Sequence, residues 1–225
     1  MELTPSLVLA MWTCGIAAGA ALVGWWRVVG TGYLWLAGSI VVVFSVLTGL
    51  AGGGTAAYIG ATLAVFATIV AHFRIGSTIL FAAAAIVNGA AGAIDSPVVA
   101  VISGSLLLGA ITSEMLLGHW FLVDPRLPRW SLVRLDMFAM AGLVLEALMV
   151  ALTGSFTLTG DDAVFGLAYV VLAVFTGLLM IGVWMSLREP RYSGVMAATG
   201  LSYLAVLTSF GVVTLGRILV TGGIT

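Results

Sequence analysis

The chain has no lysine and no glutamine, and its single asparagine is Asn88. Eight arginines and nine acids give a net charge of −1, and charged residues fill only 8% of the 225 positions. Charge this sparse excludes the basic stripe that a nucleic-acid backbone requires, so nucleic acid is set aside as a partner. Cys14 is the sole cysteine, which rules out an intrachain disulfide or thiolate cluster and leaves the redox compartment unread. Phosphate-cradling glycine loops followed by lysine are missing, as are His-x-x-x-His or His-Glu zinc pairs and a Ser/His/Asp set. The run Gly52-Gly53-Gly54-Thr55 has no lysine after it, so ATPase, zinc-peptidase and hydrolase chemistry fit poorly.

What is abundant is apolar surface. Hydrophobic residues make up 62% of the chain and the mean hydropathy is +1.23. A water-soluble domain of this composition would expose its own core, so the expectation is an all-α integral membrane protein in contact with the lipid bilayer. No polar segment is long enough to form a separate domain, and 1–225 is read as a single polytopic unit. The hydrocarbon core needs roughly 20 apolar residues per helix. Cutting at charges, Gly/Pro clusters and Trp anchors predicts eight spans, near 6–26, 33–51, 55–73, 75–93, 97–122, 131–153, 163–187 and 194–220. The first lacks a basic lead-in and a small-x-small cleavage site, and is read as a retained span rather than a signal peptide. Asp95-Ser96-Pro97 reads as the cap and first-turn proline of the fifth.

Seven of the eight arginines fall in alternate connections: Arg27, Arg74, the group Arg126, Arg129 and Arg134, and the pair Arg188 and Arg191. Basic connections stay cytoplasmic, which predicts an eight-transmembrane-helix bundle with both termini extracytoplasmic, in the cell (inner) membrane. The opposite connections hold Gly52-Gly53-Gly54, Asp95 and Asp161-Asp162. Six of seven tryptophans (25, 26, 35, 120, 130 and 184) fall at the arginine level, as an interfacial belt does. Gly15 to Trp26 aligns with Gly109 to Trp120 at constant offset, and Leu47-Thr48-Gly49 resembles Leu152-Thr153-Gly154. Both suggest a 4+4 parallel repeat of the kind found in transporters. Small residues such as the Gly15-x-x-x-Gly19 pair, the run Ala82 to Ala85 and Gly89 predict close helix packing, and some of these faces are expected to meet partner protein subunits.

Chemistry concentrates in Thr112 to Asp136. An ionisable group at membrane depth is a functional candidate by default, and two stand out. Glu114 lies about two turns from the inner end of the fifth span, and Glu146 about two turns from the outer end of the sixth. They form a staggered protonatable pair, with an ion pair between Glu146 and Arg217 as the competing account of Glu146. His72 and His119, the only two histidines, end spans that run in the same direction and should reach one cytoplasmic level. Imidazoles from two helices can ligate a b-type haem, and an imidazole also serves as a quinone hydrogen-bond partner. The metal role of His72 and His119 depends on haem, and Trp120 joins them as a cofactor-binding candidate. Ordinary interfacial anchoring competes with this. Glu114 and His119 are five residues apart, about 140° around a helix, so both cannot face one pocket. Asp124-Pro125-Arg126-Leu127-Pro128-Arg129 is a stiff turn; its charges, with Arg134 and Asp136, read mainly as an ion-paired topology signal.

These features predict first a membrane subunit of an electron-transfer system, holding haem b or quinone near the cytoplasmic side. A small proton-coupled secondary transporter is the alternative, and a non-catalytic scaffold subunit of a larger complex the third reading. Whether the chain is an enzyme stays open.

Overall fold

The computed structural model describes residues 4–94, 96–153 and 163–221. Asp95, Gly154 and Asp161-Asp162, used above for topology and repetition, lie outside the described residues. The structure is 88% helix, with no strand among the described residues. The helices are α1 (Pro5–Trp26), α2 (Thr31–Thr48), α3 (Gly54–Ile69), α4 (Arg74–Ala93), α5 (Val98–Trp120), α6 (Arg129–Leu152), α7 (Ala163–Arg188) and α8 (Tyr192–Thr221).

Seven helical segments are long and apolar enough to cross a membrane. One of them, Thr31–Ile69, joins α2 and α3 through a π-helical turn at Gly49–Gly53. Gly52 has φ +102° and Gly54 φ +68°, conformations that cost glycine little and other residues much. The chain reverses there, because Gly38 lies against Thr68 and Gly49 against the Tyr58 ring. α2 and α3 are therefore antiparallel arms. The eight expected spans appear as seven membrane-length segments, because α2 and α3 are joined in one; at 1.5 Å per residue the 16-residue α3 is about 24 Å long, short of the ~30 Å hydrocarbon core. α3 ends at Ile69, four residues before the expected limit, and His72 sits in the turn that follows. α5 begins one residue later than the proline signal implies, with Pro97 in the capping position and no side-chain cap.

The helices form two rings of four. In the first, α1 packs on α2 and α4, and α3 packs on both of these; in the second, α5 packs on α6 and α8, and α7 packs on both of those. A polar contact crosses the diagonal of each ring. Ser45 on α2 donates to Asn88 on α4 at 3.3 Å, and Arg217 on α8 donates to Glu146 on α6. The rings meet where α1 and α5 run parallel, with Met11 at Gly104, Gly15 at Gly109 and Gly19 at Ser113. A methyl group on Gly109 would fall on the Gly15 backbone, and one on Gly15 would fall on the backbone of Ser105 and Gly109. The two helices thus touch backbone to backbone, the contact that paired small residues allow.

One end of the bundle gathers the arginine-bearing connections. Trp26 meets Trp130 edge-on at 5.2 Å, Gly32 sits under Trp120, and Phe121 reaches Tyr192. The Arg129 guanidinium donates to the carbonyls of Pro190 at 2.7 Å and Arg191 at 2.9 Å, and also to Glu189. This ties the α5–α6 turn to the α7–α8 turn.

Candidate functional site

α5 is the hub. Successive residues in one turn face two neighbouring helices: the Trp12 indole of α1 donates to Thr112 Oγ1 at 2.8 Å, Ser113 packs on Gly19 of α1, and Glu114 turns the other way and accepts from Ser202 on α8. Glu114 is fully buried, and its Oε1 has no hydrogen-bond partner. Asp136 on the adjoining helix α6 lies within electrostatic range of it, with no hydrogen bond between the two carboxyl groups. Asp136 is also fully buried, and neither of its carboxyl oxygens has a hydrogen-bond partner. Both acids sit about 10 Å inside the arginine-rich end, six residues before the end of α5 and seven into α6.

The position of Asp136 departs from the sequence expectation. Grouped with the turn arginines it reads as a surface charge, yet no ion pair reaches it among the described residues. The available signal was depth: counted from Arg129, Asp136 stands at the level of Glu114 on the adjoining antiparallel helix.

A second polar cluster lies near the opposite end. Arg217 donates to both oxygens of Glu146, at 2.5 Å to Oε1. Ser103 on α5 donates to Glu146 Oε2 at 2.6 Å. Tyr169 on α7 and the Glu146 carboxylate both press on Gly216, and Arg217 Nη1 lies 2.9 Å from Met149 Sδ. Glu146 and Arg217 are both fully buried. The competing account of Glu146 is therefore the arrangement observed, and Glu114 pairs electrostatically with Asp136 rather than with Glu146.

Eleven residues of α5, about 16 Å, separate Ser103 from Glu114. Leu107, Ile111, Ala139 and Ala205, none exposed, fill the interval, and Ser209 on α8 is fully buried there with an unpartnered hydroxyl. No continuous polar file connects the clusters among the described residues.

The histidines lie elsewhere. His119 is exposed, on the side of α5 away from Glu114, which resolves their 140° separation in favour of the acid as the interior group. His72 is also exposed and stacks on Phe73 at 4.1 Å. Neither imidazole has a hydrogen-bond partner among the described residues, and no contact joins them to each other. Trp120 is half-buried and meets Tyr33 edge-on at 6.1 Å, a packing position between α5 and α2. No group of three or more His, Cys, Asp or Glu among the described residues has metal-binding geometry.

No protein-family model matches the chain, and neither the curated proteins nor the solved structures give a match.

Proposed function

We propose that the chain is a small proton-coupled membrane carrier in which Glu114 and Asp136 form the protonation site. The observation that carries this reading is two fully buried carboxyl groups on packed helices, within electrostatic range of each other, without an ion-pair partner among the described residues and with three of their four oxygens unpartnered. Two bare carboxylates in that setting are costly, and a proton on either of them relieves the cost. Binding and losing that proton changes the charge at the junction of α5, α6 and α8, the helices that carry every charged group of the interior. Glu146 is neutralised in place by Arg217 and serves as the fixed polar anchor at the far end. The apolar layer between the clusters argues for a carrier rather than an open channel, because a proton or solute passes only when the helices around it rearrange.

The wider architecture supports the same reading. Eight crossings with both termini outside follow from the antiparallel arms α2 and α3 and from the arginines at one end, taken as cytoplasmic in a bacterial-type inner membrane. A duplication of four helices is supported by the matching rings, by their diagonal polar links, and by Gly15 facing its aligned counterpart Gly109 across the seam. Partner subunits remain part of the proposal through the exposed apolar faces of the outer helices.

In proteoliposomes loaded with a pH-sensitive dye, an imposed pH gradient should collapse at least tenfold more slowly with Glu114→Gln plus Asp136→Asn than with the wild type. Infrared spectra in bilayers should show a protonated-carboxyl band that the same substitutions remove. Equal rates together with an unchanged band would sink the proposal.

Electron transfer is a second reading, favoured by one observation: both imidazoles are exposed and unpartnered, and so free to ligate. Protein purified from native membranes should then show a Soret band that is lost in His119→Ala and His72→Ala. The absence of that band removes the haem form of the reading, and the absence of a co-extracted quinone removes the other.

A further inference from the structure

The parallel α1–α5 seam has two flanks, and they are built differently. On the flank toward α2 and α8, Trp12 fills the space, with its ring 5.1 Å from Phe44 and 5.5 Å from Phe210 and its indole N–H on Thr112. On the flank toward α4 and α6 no described side chain fills the gap between the rings as Trp12 does, and the one aromatic there, Phe138 of α6, lines a cavity instead. A cavity of about 700 Å³ lies there, within the size range of small-molecule sites. Extending the offset of the Gly15–Trp26 alignment three residues back pairs Trp12 with Leu106, and Leu106 lines this cavity. The walls are small, with Ala18, Gly89 and Ala90 among them.

The chemistry of the lining restricts the occupant. Among the described residues Cys14 and Ser105 are the only polar side chains on it, and the buried Ser105 hydroxyl lies beside the Cys14 thiol. A headgroup, a sugar or a phosphate would lose its water and gain almost nothing in return. The mouth is formed by Ile86, Val98 and Ile102, all more than half exposed and continuous with the apolar outer surface of the membrane-length helices. The occupant therefore enters sideways from the bilayer.

We infer that the crevice between α1, α4, α5 and α6 is a binding site for one hydrocarbon chain of a membrane phospholipid, wedged between the two four-helix rings. The site is independent of the acid pair and of the carrier reading. Only the choice of Leu106 as the residue to replace rests on the proposed repeat.

Photocrosslinking in bilayers tests it. The full chain is reconstituted with a phosphatidylcholine carrying a diazirine in one acyl chain, and adducts are mapped by mass spectrometry. Adducts at Gly89, Ala90 and Leu106 should exceed those on the exposed α7 positions Val171 and Leu178 by at least threefold. Leu106→Trp, which reproduces the plug of the opposite flank, should lower the adducts at Gly89 and Ala90 by at least threefold and leave the α7 adducts unchanged. If Leu106→Trp does not give a monodisperse protein, Ala90→Phe on the facing wall is the second variant. Crevice adducts no more frequent than those on α7, or unaffected by the filling variant, overturn the inference. A prenyl quinone retained at one per chain after purification also overturns it, because the crevice would then belong to another ligand.

Discussion

Arg217→Met is expected to destabilise the fold by about 3–5 kcal/mol, the cost of leaving one member of a buried ion pair without its partner. Glu146→Met together with Arg217→Met should recover most of that loss. Removing Arg217 takes away the donors to both Glu146 oxygens and leaves Ser103 as the carboxylate's remaining partner. Both side chains are fully buried, so water does not replace the lost bonds. Removing both ions deletes the uncompensated charge along with the pair, and methionine fills irregular space well. The measurement is reversible unfolding in mixed micelles for the wild type, both single variants and the double. If Arg217→Met matches the wild type, or the double is no better than the single, the pair is not the anchor described here.

A methyl group placed on Gly109 is expected to be as damaging, although the change is only Gly109→Ala. The added carbon would meet the main chain of Gly15, and backbone, unlike the end of a flexible side chain, has no rotamer to yield. α1 and α5 must separate along the seam that joins the two rings. Overpacking in cores commonly costs 1–3 kcal/mol; for a contact that cannot yield we expect about 3 kcal/mol or more, roughly a 10 °C fall in Tm for a chain of this size. Gly200→Ala supplies the contrast. Gly200 is an exposed helical glycine with nothing near its added carbon, so the same substitution should be neutral, or stabilising by up to about 1 kcal/mol through helix propensity. Equal midpoints for the two variants would show that the α1–α5 approach does not hold the rings together.

Membrane character and helix positions were readable in the sequence because both follow from runs of apolar residues, which no tertiary contact is needed to define. The Glu146–Arg217 pair was readable too, since counting residues from helix ends puts both at one depth. Asp136 was not, because charge in the Asp124–Asp136 stretch was assigned by proximity in sequence to Arg126, Arg129 and Arg134. Burial depends on which way a helix rotates, and α6 turns Asp136 inward while Arg134, two residues earlier, lies over the Trp130 ring at 4.6 Å. The histidines illustrate the same limit. That His72 and His119 lie near helix ends was legible, but facing was not, and both rings lie on the outside. The alignment of Gly15 with Gly109 was legible as similarity, whereas their contact needed the three-dimensional arrangement of the rings.

The short arm α3 has a consequence for the surrounding membrane. In the proposed eight-crossing arrangement, one outer wall of the bundle is a helix about 24 Å long, some 6 Å less than an average hydrocarbon core. Among the described residues α3 packs mainly on α2 and α4, which leaves its outer side to lipid. The leaflets must draw in around it, at a cost of fractions of a kcal/mol per Å. In a bilayer of mixed composition the protein should therefore partition toward thinner regions, with short-chain lipids gathering along the α3 side.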